Sequence, residues 1–473
     1  MEKLKVAFLA GFMDYFSGEG IESFKKSQDD LKKLARQNNF DLYIYNEPIS
    51  DIKNAAIVRM DMEHKGVDFV LIYHPTYISG DIIFELLRTD SYFGLWAPKE
   101  PRPAGPLPLA SFVCLNQNTS IATHYFKGSR KKYKWFLGDT NDEYFKYRFE
   151  ITIRALNVIK RLKNSRVAQL GKIAEGFRNM YYDEREIFKT LGVDVVRDVE
   201  IEDVFYEAGK IDKTIVNNEV DKVLKQFSSV SFPKEKIIET IKMFMAVKKI
   251  CEDNNYDAVA FDCAGKPIKL KGIIACLSNS LLNSYGITAG CEGDMLSTIS
   301  SYILHLISKK PSAVSDLPAF DDKDDSVLLW HCGSAPFEMA DSCGVNCKTV
   351  YRSDFAAGTD FEELGPITDM VYRSSDVTVF RLIGESDYFY YFTGKTLGAK
   401  KDSWKGSRGW VKDLKLYRDP VKAKDLINTI LDKGIPHHFP FIMDDVARYI
   451  EEIAYWLNLK RVEVKEYEDF NYI

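Results

Sequence analysis

Residues 287–333 read ITAGCEGDMLSTISSYILHLISKKPSAVSDLPAFDDKDDSVLLWHCG, and an apolar run gives way to a polar residue at three places in this stretch. The first run is typical of a short strand, and it ends just before Glu292. Apolar residues then recur at steps of three and four from Met295 onward, which predicts an amphipathic helix. Asp316 follows a second apolar run, and His331 closes a third, which is typical of a hydrophobic strand. Because parallel sheets place their sites at strand ends, these polar residues are candidates for one site.

The composition indicates a soluble enzyme of several domains. At roughly 150 residues per domain, 473 residues predict about three domains. Hydrophobic content of 45% and charged content of 28% are typical of globular enzymes, and a net charge of −5 disfavours nucleic-acid binding. The N-terminal apolar run is too short for a signal peptide, and no run of about 18 apolar residues could span a membrane. The eight cysteines show no disulfide framework, so we expect reduced thiols and a cytoplasmic protein.

The order of apolar runs predicts the fold. Strand patterns, such as KVAFLA at residues 5–10 and LASFVCLN at residues 109–116, alternate with helical patterns and predict parallel sheets with right-handed crossovers. After about residue 325, short runs with a period of two predict an antiparallel sheet or barrel with two closing helices. The predicted fold is therefore α/β. It consists of two doubly wound parallel-sheet domains, residues 1–162 and 163–325, and a C-terminal antiparallel β-barrel-like domain with helices, residues 326–473.

Four side chains form a candidate metal site. His438 lies in the motif GIPHHFPF and joins Glu292, Asp316 and His331. Such a mixed set of carboxylates and imidazoles suits Mn²⁺, Co²⁺ or Fe²⁺ with open coordination positions. Each residue taken alone also has a structural explanation, because a histidine at a strand end often serves packing and an acidic residue complements a helix N-terminus. Spacing alone leaves both explanations open.

Three other motifs carry weaker signals. Cys332, Cys343 and Cys347 with His331 could form a thiolate zinc site, but the second cysteine pair that such a site needs is absent. Cys332 beside His331 is a poor nucleophile–base pair, since adjacent strand residues point to opposite faces. The glycine-bearing loop at residues 11–20 departs from the spacing of a dinucleotide-binding fingerprint, and we expect it to cover the carboxyl edge of the sheet.

The sequence GCEGD at residues 290–294, followed by a helix, resembles the metal-site region of the L-fucose isomerase and L-arabinose isomerase superfamily. Asp316 lies 24 residues after Glu292, which is the spacing of the metal carboxylates in the fucose enzymes. In the arabinose enzymes, the ligands are supplied in order by Gly-Glu-Gly-Asp, a later acidic residue, a strand-end His and the second His of a pair. His331 and His438 match the last two.

A second region carries the same resemblance. Residues 108–140 are similar to the arabinose isomerase stretch in which Leu-Asn-Gln presents a substrate-binding glutamine, here Gln117. The resemblance extends over most of the chain and is strongest at residues 108–140, 286–332 and 434–465. The loop at residues 11–18 departs from the substrate loops of both families, which leaves the identity of the sugar open.

The resemblance implies a metal-dependent ketol isomerase that interconverts an aldose and a ketose through an enediol. Glu292 and Asp316 would hold the ion with His331 and His438 and would also exchange protons with the sugar. The implied ion is Mn²⁺, with Co²⁺, Fe²⁺ or Mg²⁺ as alternatives. The implied assembly is a homo-oligomer, a trimer or hexamer with shared sites. L-Fucose, D-arabinose and L-arabinose are the implied substrates.

Amide, imidazole and indole side chains are suited to contact sugar hydroxyls and C–H groups. The candidate substrate contacts are Gln117, Trp330, His437, Arg408, Trp410, Met13 and Asp14. For the two tryptophans, core packing is an equal explanation.

Two alternative functions stay open. The first is isomerisation of a sulfonated or otherwise anionic hexose such as sulfoquinovose, on which distant members of the superfamily act. Arg130, Lys131 and Arg408 could bind its anion. The second is a non-catalytic sugar-binding protein, because tandem α/β domains also build solute receptors. The complete ligand set and the missing signal peptide disfavour this second alternative.

Overall fold

The computed structural model describes residues 3–13, 19–126, 132–263, 265–349 and 364–468. The chain divides into two compact units, Met1–Lys160 and Arg161–Ile473. The first unit contains a parallel sheet, and the second contains another parallel sheet and a C-terminal antiparallel barrel. The predicted fold class is thus confirmed. The division into three domains after residues 162 and 325 stays a prediction.

The first unit is a doubly wound sheet in which strands and helices alternate. Its elements are β1 (Lys5–Ala10), α1 (Glu19–Gln37), β2 (Asp41–Ile44), α2 (Ile52–Lys65), β3 (Phe69–Tyr73), α3 (Gly80–Leu86), β4 (Tyr92–Ala97), α4 (Ser111–Tyr125), β5 (Tyr133–Leu137) and α5 (Glu143–Leu162). The five parallel strands lie in the order β2-β1-β3-β4-β5. Strands β1 and β3 are apolar and buried almost throughout, as expected of strands covered by helices on both faces.

One segment of the first unit differs from its prediction. The run LASFVCLN at residues 109–116 was predicted to be a strand, but most of it lies in helix α4. The buried residues Cys114, Asn118 and Ala122 recur every four positions, which is the spacing of one helix face. The strand that pairs with β3 is instead β4, the run YFGLWA. The prediction was wrong because a short apolar run has no decisive period.

The second unit begins with a four-stranded parallel sheet. The elements of this part are β6 (Arg166–Leu170), α6 (Glu184–Leu191), β7 (Asp194–Val199), α7 (Ile201–Lys210), α8 (Lys213–Leu224), β8 (Ser229–Val230), α9 (Lys234–Asn254), β9 (Ala258–Phe261), α10 (Lys266–Lys271), α11 (Cys276–Ser284), β10 (Thr288–Gly290) and α12 (Met295–Ser308). The strands of the sheet lie in the order β10-β9-β6-β7. A four-residue turn separates β10 from α12, and it contains Glu292.

The remainder of the second unit is an antiparallel barrel. Its elements are β11 (Ala313–Asp321), β12 (Ser326–His331), β13 (Asn346–Lys348), β14 (Ile367–Val371), β15 (Ser375–Ile383), β16 (Tyr388–Thr396), β17 (Ser407–Leu416), β18 (Asp419–Pro420), α13 (Ala423–Asp432), β19 (Phe439–Ile442), α14 (Ala447–Leu457) and β20 (Lys460–Arg461). Six strands close a ring in the order β11-β12-β17-β16-β15-β19, and every neighbouring pair is antiparallel. Closure removes the exposed edges of the ring.

Helix α12 joins the parallel sheet of the second unit to the barrel. It packs against β9 and β10 of the sheet and against β15 and β19 of the barrel. Nearly all of its side chains are buried, including Ile299, Ile303 and Ile307, so burial of apolar surface holds the two layers together. The turn before α12 therefore lies beside the ends of barrel strands.

Two further features concern the helices and the cysteines. Within the described ranges, we find no helix with both the length and the hydrophobicity needed to cross a membrane. All eight cysteines lie in the described residues, and none is in a disulfide. Cys343 is exposed, and the other seven cysteines are buried.

Phe136→Ala should destabilise the first unit strongly. The ring is fully buried on β5, with its centre 5.8 Å from that of Phe145 and 5.9 Å from that of Phe149. Losing a buried phenylalanine costs about 3–5 kcal/mol through lost burial and the cavity that remains. Phe112→Ala is the matched control, since that residue on α4 is 55% exposed. Urea unfolding should show a change within about 0.5 kcal/mol for the control, and equal losses for both variants would contradict this core.

Candidate metal centre

The turn between β10 and α12 gives Glu292 an unusual backbone. Its φ is 55°, in the left-handed region that residues with a side chain rarely adopt. The N–H of Gly293 donates to the carbonyl of Phe261 at 3.0 Å, and the carbonyl of Glu292 accepts from the N–H of Ala174 at 3.0 Å. A Cβ at Gly293 would lie 2.6 Å from the carbonyl oxygen of Lys172, so glycine is required there. The strain at Glu292, on the order of 1 kcal/mol, is held by these contacts.

The carboxylate of Glu292 lies beside two histidines. Its Oε2 is 3.4 Å from His438 Nε2 and 3.6 Å from His437 Nε2. Burial by itself raises the pKa of Glu292. The imidazoles of His437 and His438 and the electrostatic effect of His331 outweigh burial and hold the pKa well below its usual range. The carboxylate is therefore ionised at neutral pH.

Asp294 connects three elements through one buried carboxylate. Its Oδ1 accepts from the backbone N–H of Ser297 at 3.0 Å and caps α12. Its Oδ2 accepts from Arg381 Nη2 at 2.9 Å and from His438 Nδ1 at 3.1 Å. Arg381 Nη1 also donates to the carbonyl of His438 at 2.7 Å. All three side chains of this ion-pair network are buried, with exposures of 0% for Asp294 and 1% for Arg381 and His438.

The network fixes the orientation of His438. Because Nδ1 donates to Asp294, the ring presents Nε2 to Glu292. Burial lowers the pKa of His438, but the nearby carboxylates of Asp294 and Glu292 outweigh it and raise the pKa to about 10. Burial raises the pKa of Asp294, whereas the charge of Arg381 and the bond from His438 hold it well below its usual range. A cation at Nε2 would therefore replace a proton there.

Strands β11 and β12 carry the other two predicted ligands. Asp316 pairs across the sheet with Trp330, and it lies inside β11 where the register shifts. His331 is the last residue of β12, and its ring centre is 5.9 Å from that of His438. Burial lowers the pKa of His331, while the negative charge of Asp316 opposes this shift, which indicates that Asp316 lies within electrostatic range.

Two overlapping groups of donors could hold an ion. In the first, the ligand atoms of Glu292, His437 and His438 lie within 4.8 Å of one another. In the second, the ligand atoms of Cys291, His331 and His438 lie within 4.8 Å of one another, so His438 belongs to both groups. Thus three of the four predicted ligands belong to these groups. His437, predicted as a sugar contact, is the additional imidazole.

A divalent ion fits this cluster. Glu292 Oε2 and Asp316 Oδ1 are buried carboxylate oxygens that lack hydrogen-bond partners in the described structure. Buried polar atoms normally have partners, and a cation held by Glu292 and the imidazoles would supply one to Glu292 Oε2. Asp316, the fourth predicted ligand, belongs to neither donor group, although its Oδ1 also lacks a partner. The combined carboxylate and imidazole donors suit Mn²⁺, Co²⁺ or Fe²⁺.

The alternative thiolate site is not formed. Cys343 is exposed, whereas Cys347 is buried in β13. Among the described residues, neither cysteine belongs to a group of donors close enough to share an ion.

Some predicted substrate contacts lie in the first unit. Gln117 is on α4, where its Oε1 accepts a hydrogen bond from the hydroxyl of Tyr77. Met13 follows β1. Three predicted contacts lie outside the described residues, namely Asp14, Arg130 and Lys131.

The remaining predicted contacts lie on the barrel. Trp330 is half-buried and Trp410 is buried, and each indole N–H donates to a backbone carbonyl, at 2.7 and 2.8 Å. Arg408 is buried and forms an ion pair with Asp369 at 2.5 Å. Arg408 pairs across the sheet with Trp330, which in turn pairs with Asp316, so these three residues share one face.

Sequence reasoning missed the contributions of Arg381 and Cys291. Arg381 lies in the run DVTVFRLIG, and an arginine inside an apolar strand is a signal for a buried partner. Spacing does not reveal that this partner is Asp294, the last residue of the motif GCEGD. Cys291 directly precedes Glu292, and its place in a donor group depends on tertiary contacts.

Asp294→Asn should destabilise the second unit by about 3–5 kcal/mol, because Arg381 then becomes a buried charge without its partner. Arg381→Met should lower the free energy of unfolding by a similar amount, because it leaves the buried carboxylate of Asp294 without its cation. The double variant should lose clearly less than the two single losses combined, since it removes both charges. Urea unfolding of the four proteins measures this coupling, with Asp387→Asn as a surface control, and strictly additive losses would contradict a shared network.

No protein-family model matches the chain. The chain is 23% identical to the sulfoquinovose isomerase of Priestia aryabhattai over 399 residues, which cover 83% of this chain and 85% of that protein. Identity to the sulfoquinovose isomerase of Alkalicoccus urumqiensis is 22% over 375 residues, 78% of this chain and 80% of that protein. Identity to the sulfoquinovose isomerase of Clostridium sp. (strain MSTE9) is 20% over 351 residues, which cover 71% of this chain and 72% of that protein. The similarity therefore extends over most of the chain and supports an isomerase. Membership of the L-fucose and L-arabinose isomerase superfamily stays a prediction.

Proposed function

We propose that this chain is a metal-dependent aldose–ketose isomerase that converts sulfoquinovose, a sulfonated hexose, into its ketose. The observation that carries the proposal is the similarity to sulfoquinovose isomerases along most of the chain. Two half-buried carboxylates support it, because such a reaction needs groups that move protons. Glu292 lies in a cluster of imidazoles, and the charge of Asp316 acts on His331.

The reaction moves two protons between neighbouring atoms of the sugar. The proton on C2 moves to C1, and the proton on the C2 hydroxyl moves to the C1 oxygen. Glu292, whose pKa is held low, is a carboxylate that can accept the first proton and return it. Asp316, on barrel strand β11, is the second carboxylate and would move the proton between the C2 hydroxyl and the C1 oxygen. His437, 39% exposed at its side chain and next to Glu292, is positioned to donate to a hydroxyl.

Glu292, Asp316, His331 and His438 would hold the divalent ion, with Mn²⁺ first and Co²⁺, Fe²⁺ or Mg²⁺ as alternatives. When bound, the ion supplies Lewis-acid stabilisation of the negative charge that develops on the sugar oxygens. The chain contributes oriented donors. His438 presents Nε2 because Asp294 holds Nδ1, and the strained turn holds Glu292 in place.

The sulfonate distinguishes the proposed substrate from neutral sugars. A fixed anion in a partly dry pocket needs a cation and hydrogen-bond donors. Arg408 is our candidate, since it shares a sheet face with Asp316 and Trp330. The hydrogen bonds that Arg408 makes within the described residues all use Nη1, which leaves Nε and Nη2 for an anion.

The protein supplied with Mn²⁺ should isomerise sulfoquinovose with a kcat/KM about 10- to 100-fold above that for glucose, because a charged hydrogen bond contributes about 1.5–3 kcal/mol. Ketose formation can be followed by proton NMR. L-Fucose, D-arabinose and L-arabinose are the neutral comparisons expected from the sequence resemblance. Faster turnover of one of these three would reassign the substrate, and sugar binding without turnover would favour the non-catalytic alternative.

Glu292→Gln should lower kcat for this reaction by about 10²- to 10⁴-fold, since glutamine cannot accept a proton. Glu143→Gln is the matched control, because that side chain is 93% exposed on α5. Chelation should remove activity, and added Mn²⁺ should restore it. Circular dichroism should show the same fold in each variant. If Glu292→Gln and metal removal both left the rate unchanged, the proposed mechanism would be wrong.

A further inference from the structure

A second group of metal donors overlaps the proposed ion site and adds a thiol, that of Cys291, which has no part in the reaction as proposed. The ligand atoms of Cys291, His331 and His438 lie within 4.8 Å of one another. All three side chains are buried, with exposures of 2%, 3% and 1%. Cys291 Sγ lies 3.1 Å from Cys263 Sγ, and the backbone N–H of Glu292 donates to Cys263 Sγ at 3.4 Å. The thiol is thus built into the same turn that presents the carboxylate.

We propose that Cys291, His331 and His438 form an inhibitory site for a thiophilic divalent ion of the Zn²⁺ class. Thiolate sulfur and imidazole nitrogen are both zinc ligands, and three of them leave the fourth tetrahedral position open to water. Sulfur favours Zn²⁺ over Mn²⁺ and Mg²⁺, which prefer oxygen donors. When the ion binds, the Cys291 thiol and His438 Nε2 each release a proton to solvent. The inhibitory role rests on the proposed function, because His331 and His438 are also proposed ligands of the catalytic ion.

His438 cannot serve both sites at once. Its Nδ1 donates to Asp294 at 3.1 Å, so Nε2 is its one remaining ligand nitrogen. Nε2 lies 3.4 Å from Glu292 Oε2, and the same imidazole belongs to the group with Cys291. One lone pair coordinates one ion at a time. An ion held through Cys291 therefore deprives the carboxylate site of a ligand.

The two sites differ chiefly in the donor that the turn supplies. Cys291 and Glu292 are consecutive residues, and they offer a soft sulfur and a hard oxygen to the same imidazole. Both side chains approach the ring of His438 from a turn in which Glu292 has a left-handed backbone. A thiophilic ion would therefore bind through Cys291, and an ion that prefers oxygen would bind through Glu292.

Cobalt spectroscopy tests the site without any sugar. Co²⁺ bound to a thiolate gives near-ultraviolet charge-transfer absorbance, which we expect when Co²⁺ is titrated into metal-free wild-type protein. The absorbance should persist in Cys343→Ser, which changes an exposed cysteine, and vanish in Cys291→Ala. Zn²⁺ should abolish it in wild type by displacing Co²⁺. Absorbance that persists in Cys291→Ala, or none in wild type, would overturn the proposal.

Zinc binding and inhibition provide the second measurement. Calorimetry should show Zn²⁺ affinity reduced by at least about 10- to 100-fold in Cys291→Ser, because that is the usual loss when a group that only supports a ligand is removed. This variant keeps a polar atom and guards against misfolding of Cys291→Ala. Added Mn²⁺ should weaken Zn²⁺ binding competitively, and simultaneous binding of both ions to one chain's cluster would refute exclusion. Inhibition by Zn²⁺, relative to each variant's own rate, should require correspondingly more Zn²⁺ in Cys291→Ser. Zinc binding that is intact in a protein lacking isomerase activity would count against the proposed function alone.

Discussion

The arrangement around the candidate metal centre depends on one buried carboxylate, that of Asp294. It accepts hydrogen bonds from the first turn of α12, from Arg381 on β15 and from His438 just before β19. A charge buried in this way is stable only while its partners stay in place, since losing one leaves another uncompensated. The start of the helix, a barrel strand and the histidine are therefore held in one mutual geometry.

The same carboxylate determines how Glu292 meets His438. The turn runs from the end of β10 to the cap at Asp294, and both of these ends are fixed by hydrogen bonds. Gly293 leaves no room for a side chain, and Glu292 is forced into the left-handed region. Asp294 thus orients the imidazole directly and the carboxylate through the turn. Donors that are oriented before a ligand arrives lose less entropy when it binds.

Local patterns predicted much of this fold, but not the contacts that hold the candidate site in place. Both parallel sheets and the barrel could be predicted from apolar patterns. The alternation of strands and helices, like the period of two after residue 325, arises because residues close in sequence are buried on one face. The strand predicted at residues 109–116 failed because eight mostly apolar residues show no decisive period, and most of them lie in helix α4. Glu292 and His438 were predicted as partners from a motif resemblance. The bond between Asp294 and Arg381 joins residues 87 positions apart, and no local period reports such a pair.

Electrostatics explains why the oxygen donor and the sulfur donor of one turn are not equivalent. An ion on Glu292 neutralises a buried carboxylate whose Oε2 otherwise lacks a hydrogen-bond partner. An ion on Cys291 leaves that carboxylate without this compensation and must also displace a thiol proton. At the proposed site, an ion with no strong preference for sulfur would therefore bind through Glu292. Only an ion whose bond to sulfur outweighs both costs would take His438 for the thiolate, so the buried charge would favour oxygen-preferring ions.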